Sequence, residues 1–289
     1  MKNKIAVIGG DLRIVKLVEM LVKDGYNIQT FALEKAENLH NISKIQMCKS
    51  LKETIENADF IIGPIPLTGN NVDINTPFSE NKVTLEELTN ILEGKRFIAG
   101  NIKAELIEEM KQKNIEVIDL LKREELVVLN TISTAEGAIQ IAMEETIKTI
   151  YGSKVLVLGY GKVGKILANM LKGIGANVYC EARKNVDLAW IKAYGYVPVH
   201  LSELEKYLSE FDIIINTIPT LILNKERLEK VKKECLIIDL ASNPGGVDKV
   251  EAKKMGIKTI WALSLPGKVA PLTSAEFIKD TIYNVLKEI

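Results

Sequence analysis

The chain has 289 residues, enough for two domains with ordinary cores, and its 38 Lys and Arg balance 38 Asp and Glu. That neutrality argues against a nucleic-acid or membrane-surface protein. Apolar runs fall short of the roughly 20 residues that cross a bilayer, and Met1-Lys2-Asn3-Lys4 leads straight into a strand. Cys48, Cys180 and Cys235 lack disulfide or metal-ligand spacing, so a cytoplasmic protein with reduced thiols and no metal is expected.

Along the first half, short apolar strands at 5–8, 28–32, 60–62, 96–99 and 116–118 alternate with amphipathic helices at 14–23, 85–92 and 104–113. Such alternation builds a parallel sheet covered on both faces. The first strand enters a glycine turn, Gly9-Gly10-Asp11-Leu12-Arg13, but Asp11 puts negative charge where a pyrophosphate would bind and no third glycine follows. The turn reads as a substrate or interface element, with Arg13 available to a carboxylate. The Pro-, Gly-, Asn- and Thr-rich stretch 64–82 is too long for a plain connector and reads as a lid, a hairpin or an oligomer contact. A long helix is expected over 133–150, entered at Ser133 with Glu136 in capping-box spacing. The free N–H groups and hydroxyls of that entry, Ser133 and Thr134 among them, could hold a substrate carboxylate; simple capping explains them equally well.

The most informative segment follows. Strand 155–158 runs into Gly159, Gly161 and Gly164, and then into a helix with Ile166, Leu167, Met170 and Leu171 on one side. The first glycine permits the tight turn, the second lets a pyrophosphate approach the backbone, and the third lets helix pack on strand. Tyr160, Lys162 and Val163 complete this phosphate-binding turn. The end of the next strand decides the coenzyme, and side chains there alternate faces. If Ala182 faces the ribose, Arg183 and Lys184 can bind a 2′-phosphate and the site takes NADP, the favoured reading; if Glu181 does, it takes NAD.

Further strands are expected at 177–180, 213–216, 236–239 and 258–261. Their carboxyl ends carry Asn216-Thr217-Ile218-Pro219-Thr220, Asp239-Leu240-Ala241-Ser242-Asn243-Pro244-Gly245-Gly246 and Leu265-Pro266-Gly267-Lys268-Val269-Ala270-Pro271, where Thr217, Ile218, Pro219, Asp239, Ala241 and Ser242 would contact the dinucleotide. Ordinary turn chemistry is the alternative for each segment taken alone. His40 and His200 read as surface or edge histidines. The last helix, near 275–287, is expected to fold back on the first domain. The fold class is α/β, with two doubly wound parallel-sheet domains. These are a flavodoxin-like N-terminal domain over 1–130 and a Rossmann NAD(P)-binding domain over 151–274, joined by a linking helix over 131–150.

These segments, in this order and spacing, resemble the A subunits of dipicolinate synthase, which make pyridine-2,6-dicarboxylate in spore-forming bacteria. The resemblance covers nearly the whole chain and implies a fold similar to the D-2-hydroxyacid dehydrogenases, NADP use, a partner in the form of a flavoprotein-like B subunit, and a role in sporulation. A homo-oligomer is also expected. Glu181 departs from the small residue the family carries there. The implied chemistry starts from 4-hydroxy-tetrahydrodipicolinate, which loses water and then a hydride and a proton. Arg13, Lys268 and the helix entry would hold its carboxylates, and Lys268 or Glu136 would move a proton. Two other readings compete. A 2-hydroxyacid dehydrogenase would want a histidine near the last strands, and 261–273 has none. A cofactor-binding regulatory subunit would bind NADP without turnover.

Overall fold

Runs of β-branched and apolar residues form strands that are buried on both faces, as parallel strands between helix layers must be. The structure, a computed structural model, describes residues 4–288. It divides into two units: the chain up to Leu129 together with the stretch from Ala270 onward, and Asn130–Val269.

In the first unit, β1 (Ile5–Ile8), β2 (Ile28–Phe31), β3 (Ile45–Met47), β4 (Phe60–Ile62), β5 (Arg96–Ala99) and β6 (Glu116–Asp119) form one parallel sheet in the order β3-β2-β1-β4-β5-β6. Five of these strands follow from apolar periodicity. The sixth, β3, is three residues long with a glutamine at its centre, too short and polar to announce itself. It lies outside β2 and extends a flavodoxin-like five-strand order by one. Helices α1 (Leu12–Lys23), α2 (Leu51–Ile55), α3 (Leu85–Ile91) and α4 (Ala104–Gln112) accompany the sheet. The five-residue α2 is marked by its caps: Ser50 Oγ accepts the Glu53 N–H at 3.2 Å, and Glu53 accepts the Lys49 N–H at 3.1 Å.

The 64–82 stretch is pinned by antiparallel bridges, Thr68 to Ile74 and Asp73 to Thr84, with Leu67, Ile74 and Val83 buried beneath. This is the hairpin among the three expected forms. The last helix, here α11 (Pro271–Glu288), returns to this unit: Ala275, Ile278, Ile282 and Val285 share a core with Ile14, Leu17, Val18 and Leu21 of α1. Lys279 and Tyr283 bond Asp24 at 2.9 and 2.6 Å, and Arg123 makes two 2.7 Å bonds to Glu288.

Helix α5 runs Glu124–Glu145, not 133–150. The polar cluster Asn130-Thr131-Ile132-Ser133-Thr134 looks like a helix boundary by propensity, yet the helix passes through it because residues on both sides supply a continuous apolar run. By length and composition α5 could cross a bilayer. Its Ala135, Ala138, Ile139 and Ala142 instead lie in the core of the second unit.

The second unit repeats the strand order of the first. Strands β7 (Lys154–Leu158), β8 (Asn177–Ala182), β9 (Val197–His200), β10 (Ile213–Asn216), β11 (Leu236–Asp239) and β12 (Thr259–Trp261) lie as β12-β11-β10-β7-β8-β9, all parallel. Helices α6 (Lys162–Ile174), α7 (Asn185–Ala193), α8 (Lys225–Leu228), α9 (Lys249–Lys254) and α10 (Leu265–Val269) complete it. Strands β7 and β10 run parallel, but the strand order reverses between them, the chain building outward through β8 and β9 on one side and through β11 and β12 on the other, which opens a crevice at their carboxyl ends.

Candidate functional site

That crevice is a cavity of about 330 Å³ whose walls include Gly159, Gly161, Glu181, Arg183, Lys184 and Ile218. Tyr160, Ala182, Thr217 and Pro219 also line it. The glycines make different demands. Gly159 sits at φ +91°, and a Cβ there would lie 2.7 Å from Thr217 Oγ1. At Gly164 a Cβ would lie 2.0 Å from the Gly159 carbonyl oxygen, so helix and strand touch there. A Cβ at Gly161 would meet nothing within 4 Å, which leaves open space over the turn. Gly161 is also the N-cap of α6 and supplies no side-chain cap. The first amides of α6, those of Lys162, Val163 and Gly164, therefore face a place where an anion fits.

Tyr160 packs edge-on against Tyr196 with ring centroids 6.5 Å apart, and burial pushes its phenol up to about 12. Arg183 and Lys184 are exposed on the turn after β8. His200 steadies that turn: its Nε2 meets the Arg183 carbonyl oxygen at 3.2 Å, and Nδ1 accepts the Ser202 N–H at 3.3 Å. These partners select the tautomer with the proton on Nε2. His40 Nε2 pairs with the Glu34 carbonyl and lies in the first unit.

Glu181 and Ala182 are both buried, at 1% and 5% exposure. Glu181 Oε2 accepts the Gly159 N–H at 3.1 Å, while Oε1 is buried without a hydrogen-bond partner among the described residues. Burial pushes this carboxyl above the usual range, against the pull of the Gly159 N–H and of Arg183, Arg227 and His200. An open glycine turn, a helix start whose N-cap supplies no side-chain bond, an exposed Arg–Lys pair and a buried oxygen without a hydrogen-bond partner among the described residues together fit a nicotinamide dinucleotide.

Other expected contacts are rearranged. Asp239 is fully buried: Oδ1 accepts from Asn216 Nδ2 at 2.8 Å and the Ala241 N–H at 3.1 Å, and Oδ2 accepts the Gly246 N–H at 2.9 Å. It therefore shapes the loops after β10 and β11 and is not a direct dinucleotide contact. Thr217 spends its hydroxyl on the Leu158 carbonyl at 2.9 Å. Ala241 is buried with its carbonyl held by Trp261 Nε1 at 2.8 Å, whereas Ser242 is exposed on the loop. Asn216, expected in the ligand-facing segment at the end of β10, instead spends its amide at the centre of this network, donating to the Ile218 carbonyl at 3.0 Å and to Asp239, and accepting the Ile218 N–H at 3.1 Å.

Four substrate-side expectations change as well. Ser133 and Thr134 lie in the interior of α5, where amides are consumed by the helix, and Thr134 Oγ1 bonds back to the Asn130 carbonyl at 2.8 Å. No helix entry exists there to hold a carboxylate. Glu136 is exposed in a different groove, with Ile139, Met143, Met170 and Ile174, and is not among the walls of the dinucleotide cavity. Arg13 is 7% exposed; its Nε and Nη2 bond Asp11 at 2.7–3.1 Å, and Nη2 also bonds the Ile65 carbonyl. Asp11 in turn caps α1 through the Arg13 N–H at 3.0 Å. Arg13 thus locks its turn and is not a free cation. Lys268, on α10, is exposed.

The N-terminal glycine turn is roofed over. A Cβ on Gly9 would strike Thr76 Cγ2 at 2.8 Å and the Asn75 carbonyl at 2.9 Å, and the Gly10 N–H bonds that same carbonyl at 2.8 Å. The hairpin fills the space a pyrophosphate would need.

Residues 4–121 match the family model of the N-terminal domain of the dipicolinate synthase A subunit, and 130–245 match that of the D-isomer specific 2-hydroxyacid dehydrogenase NAD binding domain. The second unit is thus a dehydrogenase-type module for a nicotinamide dinucleotide. The dipicolinate synthase A subunit of Bacillus subtilis (strain 168) is 35% identical over 99% of this chain and 96% of its own. The crystal structure of dipicolinate synthase, A chain, from Bacillus subtilis superposes with a TM-score of 0.88 at 34% identity, covering 100% of this chain and 97% of that one. The crystal structure of the A subunit from Bacillus halodurans gives the same TM-score at 31% identity, covering 98% and 97%.

Proposed function

We propose, since the chain belongs to the family of dipicolinate synthase A subunits, that it oxidises a cyclic dicarboxylate to dipicolinate with NADP. The observation that supports this most directly is the dinucleotide cavity, lined after β8 by the exposed Arg183 and Lys184, the kind of pair that binds a 2′-phosphate. The substrate is 4-hydroxy-tetrahydrodipicolinate. Loss of water gives a dihydropyridine, and loss of a hydride and a proton gives the aromatic ring. NADP supplies the hydride acceptor. The protein's share is to hold the ring against the coenzyme and to bind two carboxylates, since aromaticity drives the oxidation. Gly159, Gly161 and the first amides of α6 hold the pyrophosphate, Arg183 and Lys184 the 2′-phosphate, and Ile218 with Pro219 one side of the adenosine. Lys268 is the exposed cation we assign to a substrate carboxylate or to the departing proton. The relatives' name, which makes each of them one subunit of a synthase, supports a partner subunit; we take that partner to be a flavoprotein-like B subunit and the assembly to work in the cytoplasm during sporulation.

Equilibrium binding of NADPH and NADH to the chain and to Arg183→Ala tests the coenzyme assignment. Loss of a charge-assisted contact of about 1.5–3 kcal/mol weakens NADPH by about 10- to 150-fold and leaves NADH nearly unchanged. Equal weakening of both, or none, would contradict it.

A further inference from the structure

Glu181 is a buried acid on the wall of a site that the dinucleotide reading gives to a phosphorylated ribose. Its Oε2 is held by the Gly159 N–H at 3.1 Å, while its Oε1 is buried and lacks a hydrogen-bond partner among the described residues. A buried carboxylate oxygen in this state is stabilised either by a proton or by a donor on a ligand. The groups around it come from every neighbouring element: the Gly159 amide after β7, Arg183 and Lys184 after β8, Asp187 in the first turn of α7, His200 at the end of β9, and Arg227 in α8. His200 is engaged by Ser202 and the Arg183 carbonyl, and Arg227 bonds the Ile222 carbonyl at 2.8 Å. Arg183 and Lys184 remain for the ligand.

Resting on the dinucleotide reading and deepening it, we infer that Glu181 selects between the two coenzymes by its own protonation. Neutral, it donates from Oε1 to the phosphorylated ribose of NADP; ionised, it repels the 2′-phosphate and accepts the 2′-hydroxyl of NAD. A protonated carboxyl is a donor and an ionised one only an acceptor, so the two states suit opposite ligands. Because burial holds the carboxyl above the usual range, the exchange occurs at a higher pH than for an exposed glutamate. The neutral form dominates below that point, so this side chain favours NADP at low pH and opposes it as pH rises. The 2′-phosphate works in the other direction: it gains its second charge near about pH 6 and is then drawn more strongly to Arg183. A comparison of two proteins at the same pH cancels that contribution.

The test is the ratio of NADH to NADPH dissociation constants, read by nicotinamide fluorescence from about pH 4.3, the ordinary glutamate value, up to about pH 9, for the chain and for Glu181→Gln. Glutamine keeps an acceptor for the Gly159 N–H and cannot ionise; Glu181→Ala, which removes the group, is the second variant. The expected result is that both variants gain NADPH preference over the parent chain progressively, by about tenfold across the range. If that gain is the same at every pH, or absent, the selector is wrong while the dinucleotide site stands. If neither coenzyme binds the parent chain at any pH, the site reading and the selector fall together.

Discussion

Gly161 and Gly164 lie three residues apart in one motif, yet the structure asks different things of them. A methyl group at 161 enters open space at an ordinary backbone angle, whereas one at 164 is driven into the Gly159 carbonyl. Gly161→Ala is therefore expected to melt like the parent chain while binding the dinucleotide at least tenfold more weakly, about 1.4 kcal/mol. Gly164→Ala is expected to lose about 1–3 kcal/mol of stability, measurable by urea unfolding. Glu181 yields a second stability prediction. Its folded carboxyl titrates above the unfolded one, so its contribution is favourable below the unfolded pKa and is lost as pH rises through the folded value. Glu181→Gln should raise the melting temperature at about pH 8, by about 2–4 °C, and change little at about pH 4. A shift at the acid end instead would contradict the sign. The motif itself was legible because glycine at fixed spacing has few physical explanations. The coenzyme was not: neighbouring side chains point to opposite faces, and nothing in Glu181-Ala182 says which oxygen meets the Gly159 amide.

At the scale of elements, the helices with strong amphipathic periodicity were readable and those ruled by tertiary context were not. Ser133 and Glu136 have the spacing of a capping box, but α5 already begins at Glu124 and carries both in its interior. The pattern is local, while the decision is made by the buried run on either side. Likewise α2 and β3 are too short to show a period. The return of α11 to the first unit puts a testable weight on one side chain: Ile282 is fully buried beside α1. Ile282→Ala should cost about 2–5 kcal/mol, with unfolding of α1 and α11 followed together by hydrogen exchange. Protection lost in α11 alone would mean that the two helices do not share a core.

For the molecule as a whole, two sheets share one strand order and both open with an apolar strand entering a glycine turn, but only one turn is fit for a dinucleotide. In the first unit Asn75 and Thr76 close the turn and Arg13 is spent on Asp11; in the second the turn stays open beneath an Arg–Lys pair. Sequence alone separated the two through Asp11 and the missing third glycine, though it could not supply the hairpin that does the closing. The substrate side was the least legible part, because Arg13, Ser133 and Glu136 carry the right chemistry in the wrong surroundings. The central claim is turnover. The chain, alone and with a candidate B subunit, should be mixed with freshly generated 4-hydroxy-tetrahydrodipicolinate and NADP, and NADPH and dipicolinate followed together. The account predicts that both appear in equal amounts; dipicolinate formed without NADPH, or neither product in either mixture despite tight NADPH binding, would contradict it.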